Sequence, residues 1–199
     1  MIVKRIVLGD YRENAYIAYD EETMEGFIVD PGDEGESVCA YVEELGVKPQ
    51  FILLTHGHVD HISAVDTVRD HFGIPTYISR TEMDYIDRGI MVFGKMRDSE
   101  NFVEHGDTID FAGKKIEVIG TPGHTAGGVC FLVEGILFAG DTLFNGSIGR
   151  TDLPGGDFDQ LITSIKTRLL TLPDDTVVLS GHERETTIGR EKRFNGYLT

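Results

Sequence analysis

The chain has 199 residues and a formal net charge of −16, enough for one generous domain or two small ones, with a core that needs no staples. That charge has the wrong sign for gripping a phosphate backbone, so nucleic acid is excluded as a partner. No apolar run approaches the length of a membrane span. The opening residues 2–8 lack the long apolar region and small-residue cleavage site of a secretory leader, which sets the expectation of a cytoplasmic protein. Cys39 and Cys130 both sit in apolar surroundings and read as reduced core thiols.

Residues 2–8, 14–20 and 26–30 are β-rich and separated by polar turns, an opening meander of strands. It ends at Asp30-Pro31-Gly32-Asp33, where Pro and Gly force a turn. Asp30 is there either as a surface turn carboxylate or as an outer partner for a metal-bound imidazole. Residues 37–45 read as a helix with Val38, Tyr41, Val42 and Leu45 on one face, stopped by Gly46. A strand at 49–54, a polar loop, a helix over 62–72 and a strand at 76–79 then make the start of a βαβ arrangement. A short acidic helix follows from Thr81.

Residues 88–105 have no clear period. Their scattered Met91, Phe93, Met96 and Phe102 either pack on a neighbouring helix or form a flap over a site. Phe93 and Met96 are kept as candidate substrate contacts, and His105 as structural. The second half is again strand-rich, at 107–111, 114–119, 128–133 and 136–139. Residues 157–172 read as an amphipathic helix through Phe158, Leu161, Ile162, Ile165 and Leu169, and a last strand covers 176–179. No linker, low-complexity tract or heptad interrupts the chain, so residues 1–199 are expected to form one domain with two related β-rich halves.

Chemistry concentrates where strands end. Thr55-His56-Gly57-His58-Val59-Asp60-His61 places three imidazoles and a carboxylate within six residues, straight after the apolar run Phe51-Ile52-Leu53-Leu54. Carboxyl ends of strands in open α/β sheets are where ligands bind. Three histidines this close would repel once protonated, and a metal ion removes that difficulty. Later strand ends present His124, Asp141 and His182, each beside a glycine that leaves room for a ligand. Nitrogen and carboxylate donors suit zinc, iron, manganese or nickel. Seven donors are too many for one tetrahedral ion and fit two ions that share a carboxylate.

In their order and spacing these seven residues resemble the metallo-β-lactamase superfamily, whose pattern is His-x-His-x-Asp-His followed by a distant His, Asp and His. The resemblance covers essentially the whole chain. It implies an α/β fold of the αββα-sandwich type with the site at one edge of both sheets. It also implies a first metal held by His56, His58 and His124, a second held by Asp60, His61 and His182, and Asp141 bridging both. The expected cofactors are two divalent ions, zinc first, with iron or manganese as alternatives. Such a pair lowers the pKa of a shared water, so the implied reaction is hydrolysis by attack of a metal-bridging hydroxide. Asp141 and Asp60 would be the catalytic carboxylates, Asp60 orienting the hydroxide.

Within the superfamily the chain is similar to the short bacterial relatives of glyoxalase II. The resemblance rests on Thr121-Pro122-Gly123-His124-Thr125, Gly140-Asp141-Thr142-Leu143-Phe144, Ser147-Ile148-Gly149-Arg150-Thr151-Asp152 and the ending Glu185 to Arg193. Glyoxalase II hydrolyses acylglutathione thioesters, so a small-molecule thioester is the implied substrate. The long members carry a basic helical C-terminal domain, whereas this chain stops about ten residues after its final helix begins. Arg150 and Asp152 stand where they have Lys and Tyr, and Arg184 where they have Tyr. Arg150 would then clamp a substrate carboxylate or pair with Asp152 or Asp157 as scaffold, and Arg184 is a second candidate contact. The competing reading is a persulfide dioxygenase of the same superfamily. It would use one iron on His58 or its neighbour, His124 and Asp141, and it shares the Gly-Arg-Thr-Asp run. RNA-processing nucleases of this fold and a non-catalytic module are disfavoured, by charge and by the complete donor set respectively. The oligomeric state is left open.

Overall fold

A computed structural model describes all of residues 1–199. Its first sheet runs β1 (Ile2–Leu8), β2 (Glu13–Tyr19), β3 (Glu25–Val29), β4 (Lys48–Leu53), β5 (Thr76–Ser79) and β6 (Asn101–Val103), in that spatial order. The β1–β2–β3 meander is antiparallel, and β3 to β6 are parallel neighbours. Between them lie α1 (Gly35–Leu45), α2 (Val59–Ile62), α3 (Val65–Phe72) and α4 (Arg80–Asp87). The second sheet is built from β7 (Thr108–Phe111), β8 (Lys114–Gly120), β9 (Val129–Val133), β10 (Ile136–Gly140), β13 (Val177–Ser180) and β14 (Thr186–Thr187). Its spatial order is β14-β13-β10-β9-β8-β7, with only β10 and β13 parallel. A two-residue-a-side hairpin, β11 (Leu143–Phe144) and β12 (Ser147–Ile148), stands apart, and α5 (Phe158–Ser164) and α6 (Ile188–Phe194) complete the chain.

Strand periodicity sorts the apolar residues into three layers, because successive side chains face opposite sides of a sheet. Ala15, Ile17, Ile52 and Leu54 face one set of helices together with Val38, Val42, Val65 and Val68. The alternating residues Tyr16, Ala18, Phe51 and Leu53 face the second sheet and meet Phe111, Phe131 and Phe138. Phe27 is the centre of that seam, with ring centroids 4.9 Å from Phe111 and 5.7 Å from Phe138. On the far side Cys130, Leu137 and Ala139 face Leu161, Ile165 and Ile188. The molecule is an αββα sandwich. Both cysteines are free and buried, and no helix is long and apolar enough to cross a membrane.

Three expectations change. The helix expected over 62–72 is two helices, because the Ala64 amide bonds to the Pro31 carbonyl (3.1 Å). The consequence is that Asp60 and His61 already ride on a helical turn. The helix expected over 157–172 gives way to a π-helical turn at Ile165–Leu169, closed by the Leu170 amide on the Ile165 carbonyl (2.9 Å). Its apolar stripe faces the core in either coil, so the pattern does not tell them apart. Within 88–105, residues 101–103 form the edge strand β6.

Candidate metal centre

The loops that follow β3, β4, β8, β10 and β13 converge at one edge of the sandwich. There His56 Nε2 lies 3.1 Å from His58 Nδ1, which lies 3.0 Å from His124 Nε2. Beside them Asp60 Oδ2 lies 3.3 Å from His182 Nε2 and 3.9 Å from His61 Nε2. These are two triads of ligand atoms, each within 4.8 Å of one another. Asp141 faces both, with Oδ1 3.4 Å from His61 Nε2 and Oδ2 3.7 Å from His124 Nε2 and 3.6 Å from His182 Nε2.

The donor set fits metal ions on its own geometry. His58 Nδ1 carries one proton or one lone pair, and cannot satisfy two ring nitrogens at about 3 Å at once. A tetrahedral ion with nitrogens at 2.0–2.1 Å would hold them about 3.3–3.4 Å apart. His61 Nε2 and Asp141 Oδ1 are buried, face each other and have no hydrogen-bond partner. Such orphaned atoms are costly in an interior unless a ligand takes them up.

The rings are held from behind, which fixes the nitrogen left to bind. His61 Nδ1 meets Asp30 Oδ2 at 3.0 Å and His124 Nδ1 meets the Arg150 carbonyl at 2.7 Å. His56 Nδ1 lies 3.1 Å from Thr55 Oγ1, whose own proton goes to Asp30 Oδ2 (2.5 Å). Asp30 therefore orients two of the rings, although it also stands near enough to His56 and His61 to count as a donor. It does so with φ at 48°, a conformation costly for a residue with a Cβ and persisting only where the surroundings over-determine it. Gly181 is the complementary case: a Cβ there would collide with Asp141 Oδ1 and, at 2.5 Å, with the His61 ring.

Electrostatics keep the first triad ready to bind. Burial, then the neighbouring imidazoles, pushes His56 far below the ordinary histidine value and His58 down to about 3. Burial likewise lowers His124. Burial favours the neutral acid at Asp141, but His61, His124 and His182 outweigh it and hold the carboxyl below its usual range.

The seven candidate ligands are thus brought together; of the three candidate substrate contacts, Arg150 lines the same cleft, Phe93 packs behind His58 and Arg184 lies elsewhere. Arg150 stands on the rim of a cleft of about 450 Å³ above the triads, bordered by Tyr11, Val59, Val92, Phe144 and Leu153. Its guanidinium is forked onto Asp152 through two bonds of 2.8 Å. Phe93 is a packing residue: it is 9% exposed, joins the helix-side core and sets its ring 5.1 Å from that of His58. Met96 also packs against that core. Arg184 lines a separate cavity of about 690 Å³ with Arg5 and Arg190, because Glu183 at φ 64° turns the chain between it and His182. His105 lies outside the cluster, its Nδ1 accepting the Gly120 amide at 3.4 Å. Two buried acids escape a reading of the sequence. Glu13 reaches within 3.9 Å of His61 Nδ1, and Glu82 bonds the backbone of two ligand loops.

Comparison with known proteins gives a concordant picture. A family model described as the metallo-beta-lactamase superfamily matches residues 8–182. The chain is 39% identical to a probable metallo-hydrolase, YqgX, of Bacillus subtilis, over 98% of this chain and 96% of that one. It is 35% identical to the hydroxyacylglutathione hydrolase GloC of Haemophilus influenzae, over 100% and 98%. Among solved structures, the B3 metallo-beta-lactamase BLEG-1 superposes with a TM-score of 0.94 at 38% identity, covering 100% of both chains. TTHA1623 in a di-iron-bound form gives 0.85 at 35% identity, over 98% and 100%. ETHE1 from Myxococcus xanthus gives 0.86 at 29%, over 98% and 84%.

Proposed function

The chain belongs to the metallo-β-lactamase superfamily, and from that membership we propose a metal-dependent hydrolase of thioesters, acylglutathiones being the substrate type. The observation that carries the reading is the pair of donor triads with Asp141 between them. One ion would be held by His56, His58 and His124, the other by Asp60, His61 and His182. Divalent ions bound there would supply a water acidic near neutral pH and a Lewis acid for the scissile carbonyl. Zinc is our first assignment, with iron or manganese as alternatives.

The chain's own groups divide the remaining work. Asp60 Oδ2, 3.3 Å from His182 Nε2, is placed to accept a hydrogen bond from the attacking water and fix its direction. The apolar rim formed by Val59, Val92, Phe144 and Leu153 would receive the acyl portion and exclude bulk water, which strengthens polar interactions beneath it. A thiolate departs with little protonation, so a thioester asks less of the protein than an amide does. Arg150 is the rim cation for a carrier carboxylate, provided it exchanges Asp152 for the substrate. The similarity to GloC supports the acylglutathione class. We infer a cytoplasmic setting, a small-molecule substrate and no nucleic-acid or membrane partner.

The test is metal analysis of protein purified without added metal, followed by a panel of thioesters, a cephalosporin and glutathione persulfide with oxygen uptake recorded. Two ions per chain and turnover of acylglutathiones support the proposal. One iron with oxygen consumption would replace it by the persulfide dioxygenase reading, and turnover of the cephalosporin alone by a lactamase.

A further inference from the structure

Helix α4 contributes no metal donor, yet it carries a buried carboxylate whose two oxygens each hold the backbone of a donor loop. Glu82 is 1% exposed. Its Oε2 accepts the amide of Gly57 at 2.8 Å, and its Oε1 accepts the amide of Gly127 at 2.7 Å. Gly57 lies between His56 and His58, and Gly127 lies three residues after His124. One carboxylate therefore ties together the two loops that supply all three nitrogens of the first triad; the first of these runs on into α2 with Asp60 and His61, while the loops that supply Asp141 and His182 are not touched.

Packing around it shows that this is a built contact. A Cβ at Gly127 would run into Ser79 Oγ, the residue that caps α4, and would come 2.9 Å from Glu82 Oε1. A Cβ at Gly57 would crowd Phe93 and Ile86 at 3.0 and 3.1 Å. Both loops approach α4 closely, Gly127 with no room for a Cβ and Gly57 with little, and both turn an amide onto the same side chain. The two N–H donors meet different oxygens of the one carboxyl. An amide at the same position has one oxygen and opposes the second donor with its own N–H.

We propose that Glu82 is a positioning residue for the first metal site alone, setting the distance between the His56–His58 loop and His124. This rests on the two-triad reading of the centre. Partners that orient ligands in this way typically govern metal affinity by 10- to 100-fold.

The experiment titrates metal-free protein with zinc against a competing chelator, comparing wild type with Glu82→Gln. Each comparison is repeated in a His182→Ala background, which spoils the second triad, and in a His56→Ala background, which spoils the first. We expect the substitution to weaken binding about 10- to 100-fold in the His182→Ala background and to leave binding in the His56→Ala background unchanged. Equal weakening in both backgrounds would make Glu82 a general structural residue and overturn the proposal, as would no weakening in either. If Glu82→Gln does not fold, Glu82→Asp serves in its place, since it keeps the charge but is too short to reach both amides, and the same site-selective loss is required of it. A wild type that binds fewer than two ions would instead remove the two-triad reading itself.

Discussion

Replacing Asp141 by Asn changes one oxygen to an amino group and keeps the side chain's shape. The native carboxylate sits 3.4 to 3.7 Å from imidazole nitrogens of both triads, so an ion held by either triad would be its near neighbour. At an effective dielectric constant near 20, a unit charge pair 3.5 Å apart is worth about 5 kcal/mol, and a divalent ion feels more. Desolvation of the buried carboxylate offsets part of this. A net loss of ~3 kcal/mol in transition-state stabilisation, more than a hundredfold in kcat/KM, is the expected scale. The assay is metal content per chain after gel filtration in metal-free buffer, with thioester hydrolysis on the same sample and circular dichroism to show that the variant is folded. Asp60→Asn is the internal comparison, since it belongs to the second triad and should lose one ion only. A folded Asp141→Asn protein that keeps two ions and more than a tenth of wild-type activity would refute the bridging role.

His56→Ala and His182→Ala should each abolish one binding event in a zinc titration, and not the same one; loss of the same ion from both would undo the partition. Arg150→Ala should raise KM for an acylglutathione, leave kcat nearly unchanged and spare a short uncharged thioester, whereas equal losses on both substrates with a lowered Tm would mark the Arg150–Asp152 pair as scaffold. In chelator-treated protein, His58 takes a proton in the unfolded chain below about pH 6.5 but in the fold only near 3. The unfolded state therefore binds more protons in that window, and stability from this residue falls by ~1.4 kcal/mol per pH unit as the pH drops. His58→Ala should flatten the denaturation-midpoint profile by that slope, and an unchanged profile would count against a neutral buried His58.

How legible all this was in the sequence depended on whether a residue's task is local. The loop from His56 to His61 announces itself because four donors in six residues have no ordinary structural use. The run Phe51 to Leu54 could be read as a buried strand, but which layer Phe51 and Ile52 each join came only with the packing of the two sheets. Glu13 and Glu82 were invisible because their task is not local. Each is one of 34 acidic residues, with no motif around it, and its partners lie tens of residues away. Arg184 misled because sequence adjacency to His182 says nothing of the left-handed turn at Glu183 that sends the two side chains into different cavities. Phe93 was kept as a candidate substrate contact beside a packed reading because an aromatic without a period does not reveal which neighbour it leans on.

Each donor triad takes two residues from the first sheet's half of the chain and one from the second's. An ion in the first place is therefore a crosslink between His58 and His124, 66 positions apart, and an ion in the second a crosslink between His61 and His182, 121 positions apart. Binding that occurs only in the folded state adds stability with free-ligand concentration, about 2.7 kcal/mol per site at a hundred times the dissociation constant. Resistance to heat and to proteases thus becomes a function of metal supply. A cell starved of the ion would hold a less stable protein as well as a less active one, as the seam between the two sheets loses its clasp at the one edge where the loops meet.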